Sequence, residues 1–491
     1  MAGKLSASGI NLDIIKKRAV KGVAALAGKT FLLQVISFFG FFYLTVFLDQ
    51  AEIGLFFAIS EVVAILGYFS DIGLAAALIQ KKGRLKKIDI QSTFTIQQAI
   101  VLLLILTSLI LTPRIVRFYN ISPAGLWLFR SLLAGFFFAS LKTIPSVLLE
   151  RKLRFDYLVL VELVENLLFY GLSVWLAWRG LGVNAYAWAV LARGLVGAVL
   201  IYFLSPWPIG LAFEAASLRR LLHFGVPYQA NTVLAVIKDR LMNVFLWKII
   251  GASGVGILGW GQKWAQMPLR FVMDPVMRVT FPAFSRLQRL LGQFKKALEF
   301  SLFAISSLAF PLLTGLALLA RPLIGMIPKY QKWEAALVPL YLFCFNAFWG
   351  AITTPLTNAF NAVGRIKVTF KLMILWTGLT WILTPALAIK FGFLGAAWAL
   401  GLVPISSLLV FRLAQKEFKI RVFKSISAPL LSSFLMSLYL FFLPCVFPFS
   451  GWLHLILAIL SGGLIYLFFL FIFARGNFIK GWRMMKNAFD R

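Results

Sequence analysis

Apolar residues run along this chain in blocks of about twenty, the length an α-helix needs to cross a hydrocarbon core of about 30 Å. Short stretches carrying charge, proline or glycine separate them. Such blocks lie near 30–48, 53–79, 93–112, 124–148, 157–178 and 184–204. A second set lies near 224–248, 254–279, 297–320, 334–361, 368–389 and 394–411, and two more near 426–446 and 452–474. The pattern predicts an all-α polytopic membrane protein with about 14 transmembrane helices. Residues 10–29 place apolar positions beside Lys16, Lys17, Arg18 and Lys21, which suits an interfacial helix or a plain polar cytoplasmic tail.

Composition agrees with the pattern and removes other classes. Of 491 residues 61% are apolar and 13% charged, with a mean hydropathy of +0.89. Too little polar surface is present for a soluble enzyme, and too much apolar surface for a disordered chain. The net charge of +32, from 49 Lys and Arg against 17 Asp and Glu, fits either nucleic-acid binding or the positive-inside rule. Sorting the basic residues over the fourteen spans decides it: 34 fall on the side that holds both termini, eight on the other and seven within spans. The charge is mainly a topology signal. It predicts a multi-pass membrane protein with both termini cytoplasmic, and no nucleic-acid partner. The N-terminus has no cleavable signal pattern.

Cys344 and Cys445 lie in apolar stretches, and His223 and His454 are far apart, so neither a disulfide framework nor a metal site is expected. The segment GVAALAGKT (22–30) has five residues between its glycines where a phosphate-binding loop has four, and no strand precedes it. HExxH, nucleophile-elbow and Cys–His patterns are absent, and the loops on the charge-poor side are short. The protein is read as a non-enzyme with no cofactor.

The chain also compares with itself at a shift of about 200–210 residues. Pro145 matches Pro355, Gly182 and Trp188 match Gly392 and Trp398, and Ile53-Gly54 matches Val255-Gly256. Asp71 aligns with Asp274 after one insertion. Two six-span halves inserted in the same orientation are related by a pseudo-two-fold axis along the membrane normal, an arrangement of transporters with the substrate site between repeats. The expected organisation is an N-terminal segment (1–29), an N-lobe (30–204), a linker (205–223), a C-lobe (224–412), and two further helices with a cytoplasmic tail (413–491).

Ionisable residues inside spans are costly and so mark functional or paired sites. Arg130 and Lys142 sit near opposite ends of the fourth span, where snorkelling is the first reading. Glu162 and Glu165 share one helical face and could pair with Arg193 or form a coupling-ion site, pairing being placed first. Asp71 and Asp274, near the ends of equivalent spans, suit a structural or gating role. Lys263 and Arg270 share a face with Trp260, Gln266 and Met267 close by, and Asn231 precedes Lys238, Asp239 and Arg240 by about two turns. These residues are read either as an internal ion-pair network, with Asp239 among its acids, or as a cationic cavity. In the second reading Arg193, Lys238, Arg240, Lys263 and Arg270 bind phosphate, and Trp260, Gln266 and Asn231 bind sugar.

Several segments carry a family resemblance: IGLFF (53–57), FSDIGLAAALIQKK (69–82), QST (91–93) and SVLLERKLRF (146–155). RRLLHFGVPYQAN (219–231), KIIGASGVGILGWGQKWAQMPLR (248–270) and FPAFSRLQ (281–288) add to it. Over about 30–412 the chain resembles the polysaccharide-exporter branch of the multidrug/oligosaccharidyl-lipid/polysaccharide flippase superfamily, in particular Wzx-like exporters of the colanic and teichuronic acid type. The resemblance implies two six-helix lobes and alternating access for an isoprenoid-diphosphate-linked oligosaccharide. It also places Lys263 where the family often carries a basic residue; Trp247 and Met242 depart from its pattern.

The function the resemblance implies is therefore a flippase of a prokaryotic cell (inner) membrane, moving an undecaprenyl-diphosphate-type lipid-linked oligosaccharide to the outer leaflet for surface polysaccharide biosynthesis. Coupling to H+, Na+ or the membrane potential is expected, with membrane lipids and polysaccharide polymerase or export machinery as partners. The alternatives are a flippase for a lipid-linked peptidoglycan precursor and an ion-coupled multidrug exporter on the same fold. A membrane polymerase or ligase of the same glycan would need larger outer loops, and a scaffold would leave the buried charges unexplained.

Overall fold

The computed structural model describes residues 12–489 except 71–72, 82–84, 216–218, 220–235, 237–239 and 448–450. Helices dominate, and no strand occurs among the described residues. The first part of the chain forms α1 (Leu12–Phe47), α2 (Gln50–Phe69), α3 (Leu74–Gln80), α4 (Lys87–Tyr119), α5 (Pro123–Leu141), α6 (Thr143–Arg151), α7 (Phe155–Trp178) and α8 (Asn184–Leu204). After residues 205–241 come α9 (Met242–Leu287), α10 (Leu291–Met326), α11 (Leu337–Ala362) and α12 (Ile366–Leu402). The short α13 (Leu408–Phe418), α14 (Val422–Val446) and α15 (Trp452–Phe489) complete the order.

Among the described residues, twelve helical stretches are long and apolar enough to cross a membrane. Two of them, Met242–Met277 and Ile366–Phe418, are each broken by a glycine with positive φ. Gly251 has φ 69 and ψ 178, and Gly392 has φ 60 and ψ −143. L-residues with a side chain rarely adopt that backbone, so these glycines let the chain turn between consecutive spans. Counting Ile366–Phe418 twice gives thirteen of the expected spans; the seventh, near 224–248, lies mostly outside the described residues.

Several boundaries differ from the expectation. The second span ends at Phe69, and Gly73 (φ 75) opens a separate short helix, α3, instead of letting the span run to 79. The fourth span is divided into α5 and α6, which meet at Lys142. Ahead of the first span, α1 continues unbroken from Leu12 through to Phe47. At the other end α15 runs on to Phe489 past a bend at Ala474 (φ −116, ψ 17).

Contacts divide the chain into two compact units. The first takes the chain up to Leu48 together with Leu55–Lys248; the second takes Asp49–Gly54 and the chain from Ile249 onward. In the first, α1, α5, α7 and α8 pack together, and Phe56 stacks on Tyr186 with centroids 3.9 Å apart and planes 8° from parallel. A second cluster joins Leu74, Leu78, Phe94, Ile144, Val147 and Trp207. In the second unit α10, α11, α12, α14 and α15 build the core. Phe310 stacks on Phe348 at 3.8 Å, and the Tyr466 hydroxyl donates to the Ser307 carbonyl at 2.7 Å.

The repeat is visible in backbone conformation. Gly182 (φ 58) and Gly392 (φ 60) take the same left-handed φ in their own units, and Trp188 and Trp398 are half-exposed six residues after each. Segments behind the family resemblance make the scaffold. The Arg151 guanidinium donates to the carbonyls of Leu78, Ile79 and Lys81 at 2.7, 2.9 and 2.8 Å. A cation thereby satisfies the acceptors left open at the end of α3. Gln91 donates to the Pro208 carbonyl at 3.2 Å, and Ser92 accepts from the Glu214 amide at 3.1 Å, so the QST segment holds the chain that leaves α8.

Candidate functional site

Among the described residues of the first unit, Glu165 gathers two cations around a buried carboxylate. It lies midway along α7, and its side chain is 5% exposed. An ionised carboxylate so placed is tolerated only when paired. Two cations meet it. Lys142, where α5 gives way to α6, donates to Oε1 in a short ion pair. Arg193 of α8 places Nε 3.8 Å from Oε2, and its guanidinium lies 5.7 Å from the Phe169 ring centroid. Gly197, one turn after Arg193 on the same helical face, leaves the room the carboxylate occupies, because a Cβ there would collide with Glu165.

The corner at Lys142 is fixed by its neighbours. Ser140 donates to Gln98 Oε1 at 3.1 Å, Gln97 donates to the Thr143 hydroxyl at 2.7 Å, and the Tyr202 hydroxyl donates to the Leu141 carbonyl at 3.1 Å. Lys142 therefore does not snorkel as its place near a span end suggests. It turns inward to the buried Glu165 carboxylate within its reach. Arg130, read the same way, is exposed. The pairing of Glu165 with Arg193 is present, but Lys142 is the closer cation. One carboxylate facing two cations leaves the group with a positive surplus, and the surplus sits on Arg193, whose side chain is 41% exposed against 19% for Lys142. Glu162, one turn before Asn166 and half-buried, accepts the Asn166 amide on its backbone carbonyl at 2.7 Å.

A second ion pair in the same unit joins Arg240 to Glu61 of α2 at 2.5 Å, with the guanidinium 5.6 Å from the Tyr68 ring centroid. Arg240 is thus held by an acid, which favours the ion-pair reading at this position. Asn231, Lys238, Asp239 and Asp71 lie outside the described residues.

In the second unit, Arg270 of α9 is exposed and donates to Gln266 Oε1 at 3.2 Å; Gln266 and Lys263 are half-buried on the same helix. Asp274, one turn after Arg270, is exposed. Trp260 requires a correction. Its side chain is 3% exposed and stacks on Trp333 at 5.3 Å and 9°, with Trp264 and Tyr330 against its edges. The stripe of aromatic residues that suggests a sugar platform is a packed core, and the ring face is occupied.

Lys142, Gly197 and Glu61 are the residues of these clusters that a search for basic cavity residues leaves out. The signal for Lys142 was the Lys-Thr-Ile-Pro sequence (142–145), in which a proline soon after a cation marks a corner between helices. For Gly197 it was a glycine one turn from a buried arginine.

Comparison with known proteins places this geometry in a family. The polysaccharide biosynthesis protein family matches residues 43–337. The lipopolysaccharide biosynthesis protein WzxC of Escherichia coli (strain K12) is 22% identical over 66% of this chain and 66% of its own length. The teichuronic acid biosynthesis protein TuaB of Bacillus subtilis (strain 168) is 22% identical over 82% of this chain and 84% of its own. Among solved structures, the lipid II flippase MurJ in an inward-closed conformation superposes with a TM-score of 0.72 at 16% identity, covering 92% of this chain and 98% of that one. A multi-pass helical membrane protein with the MurJ fold, matched over more than half its length, this chain belongs to the polysaccharide biosynthesis protein family.

Proposed function

We propose that the protein is a flippase that carries an isoprenoid-diphosphate-linked oligosaccharide from the cytoplasmic to the outer leaflet of a prokaryotic cell membrane by alternating access. The observation that carries this reading is the positive surplus beside Glu165. Lys142 satisfies the carboxylate, so Arg193 keeps a charge to offer an anion, and a guanidinium binds phosphate oxygens through two parallel hydrogen bonds. Arg270 and Lys263 provide further cations in the second unit, beside the amide of Gln266 for sugar hydroxyls. The partition of basic residues supports cytoplasmic termini, and family membership supports surface polysaccharide as the product.

An inside-negative potential favours outward movement of an anion by about 2.3 kcal/mol per charge per 100 mV. The membrane potential is therefore the proposed drive, with H+ or Na+ binding at Glu165 or Glu162 the alternative. A lipid-linked peptidoglycan precursor offers the same diphosphate to Arg193, so the test must identify the lipid. Deleting the gene and analysing lipid-linked saccharides is expected to show a surface-polysaccharide precursor retained on the cytoplasmic leaflet. Retention of a peptidoglycan precursor instead would move the protein to that substrate, and unchanged lipids would refute both.

Trp260 has no role in substrate contact on this account. Trp260→Phe is expected to leave export near the wild-type level, since it removes an indole N–H that has no partner and keeps an aromatic ring against Trp333. Loss of export with normal protein level would restore the sugar-platform reading.

A further inference from the structure

After α8 the chain runs without helix through residues 206–214, and within the first unit this stretch lies along the start of α4. Trp207 anchors its beginning: the ring is 8% exposed and meets Phe94 of α4 edge to face, with centroids 5.1 Å apart. From there exposure alternates residue by residue, the period of extended chain. Gly210, Ala212 and Glu214 are half-buried, and Gly210 comes so near the Gln91 amide that a Cβ would collide with it. Between them Ile209, Leu211 and Phe213 are 62%, 77% and 68% exposed. Three large apolar side chains on one edge, outside any span, mark a surface that meets something other than water.

The hydrogen bonds fix the depth of this edge. The Pro208 carbonyl accepts from Gln91 at 3.2 Å, the Ala212 amide donates to Thr95 Oγ1 at 3.0 Å, and the Glu214 amide donates to Ser92 Oγ at 3.1 Å. Along α4, Thr95 lies about 6 Å further into the span than Gln91. The chain therefore descends from Pro208 to Ala212 and has come back by Glu214, with Leu211 near the lowest point. The apolar block of α4 starts near residue 93, so the dip crosses the level at which hydrocarbon begins. Lys86 and Lys87, both exposed, lie about two turns of α4 above Thr95, on the headgroup side.

Backbone that enters lipid must have its polar groups satisfied. This stretch comes close to that condition. Pro206 and Pro208 have no N–H to satisfy, and side chains of α4 take the Pro208 carbonyl and the amides of Ala212 and Glu214. The groups that hold the segment also make it tolerable at the edge of the hydrocarbon.

We propose that residues 206–214 form a shallow re-entrant wedge, which inserts Ile209, Leu211 and Phe213 among the acyl chains of one leaflet beneath headgroups held by Lys86 and Lys87. The partner is the phospholipid surface itself. Apolar side chains below a pair of lysines match a lipid with an anionic headgroup. The leaflet is the cytoplasmic one on the orientation proposed above; the wedge does not depend on that orientation. Its effect is to anchor the chain that leaves α8 at the membrane surface.

The test is a depth measurement on the full chain in nanodiscs of phosphatidylethanolamine and phosphatidylglycerol. Single spin labels are placed at Ile209→Cys, Leu211→Cys and Phe213→Cys with Cys445→Ala, Cys344 being buried. Lys87→Cys serves as the headgroup reference, and Leu103→Cys, 64% exposed in mid-α4, as the hydrocarbon reference. Collision with oxygen relative to a polar nickel complex is expected to be several-fold higher at Leu211 than at Lys87, approaching Leu103, with Ile209 and Phe213 between. A label at Leu211 as open to nickel as Lys87 would place the segment in water and overturn the proposal. So would a label that neither reagent reaches, which means that protein covers the edge. Should Leu211→Cys fail to fold, the other two labels decide the same question. In the Lys86→Gln, Lys87→Gln pair, nickel access at Ile209 and Phe213 should rise several-fold; no change would overturn the part assigned to the lysines. No transport is read, so the outcome is independent of the flippase reading.

Discussion

Replacing Lys142 with alanine is expected to remove most of the folded protein from the membrane. The substitution leaves Glu165 buried, with only Arg193 at 3.8 Å to balance it. Breaking a buried pair by deleting one partner costs about 3–5 kcal/mol, because the other charge stays in a poor solvent. Against a total stability of about 5–15 kcal/mol, that is a large fraction. By contrast, an exposed pair such as Arg154 and Asp156, 3.5 Å apart, is worth about 0–1 kcal/mol. The test is the yield of monodisperse protein after extraction, together with its thermal midpoint. Adding Glu165→Gln to Lys142→Ala should restore much of both, since the uncompensated charge is then gone. Wild-type yield in the single variant, or no recovery in the double, would show that Lys142 does not hold Glu165.

Arg193→Ala is expected to do the opposite: normal protein, failed export. Lys142 still satisfies Glu165, so little stability depends on the arginine. Losing a desolvated charge contact to substrate costs about 2–5 kcal/mol, which corresponds to a fall of about thirty-fold or more in transport. Arg193→Lys keeps the charge but loses the planar fork, and should recover only part of the rate. Export at the wild-type level in Arg193→Ala would remove the residue from the substrate path. The two variants separate roles that adjacent cations on one carboxylate would otherwise conceal.

The helical plan was legible because hydropathy reports membrane spans directly, and glycine reports where they turn. Gly392 and Gly251 sit between predicted spans, and both take the positive φ that makes the break. Less legible were junctions inside a hydrophobic block. Nothing in the apolar run 53–79 shows that α2 stops at Phe69, and within 124–148 only the Lys-Thr-Ile-Pro sequence marks the bend at Lys142. That bend decides the site, since it converts a cation near a span end into the partner of Glu165. Arg193 could be paired with Glu165 from sequence because both lie mid-span on consecutive helices, where an unpaired charge is costly. Trp260 misled for a physical reason: a stripe at helical spacing has the same period whether it faces a cavity or a core. The residues that made the family resemblance visible, among them Arg151, Gln91 and Gly54, prove to be those in close backbone contact. Their resemblance speaks to the fold, and the charges beside Glu165 carry the proposed chemistry.

The central claim is that this chain moves a diphosphate-linked saccharide across a bilayer, using Arg193 to hold the anion. The direct measurement is in sealed proteoliposomes of purified protein, with a fluorescent isoprenoid-diphosphate oligosaccharide loaded in one leaflet. Its arrival in the opposite leaflet is read by an impermeant quencher, with and without an imposed potential. The account predicts transfer well above protein-free vesicles for the wild type, faster when the potential drives the anion, and near the protein-free rate for Arg193→Ala. Wild-type vesicles no faster than protein-free ones, or an Arg193→Ala variant as fast as wild type, would contradict it.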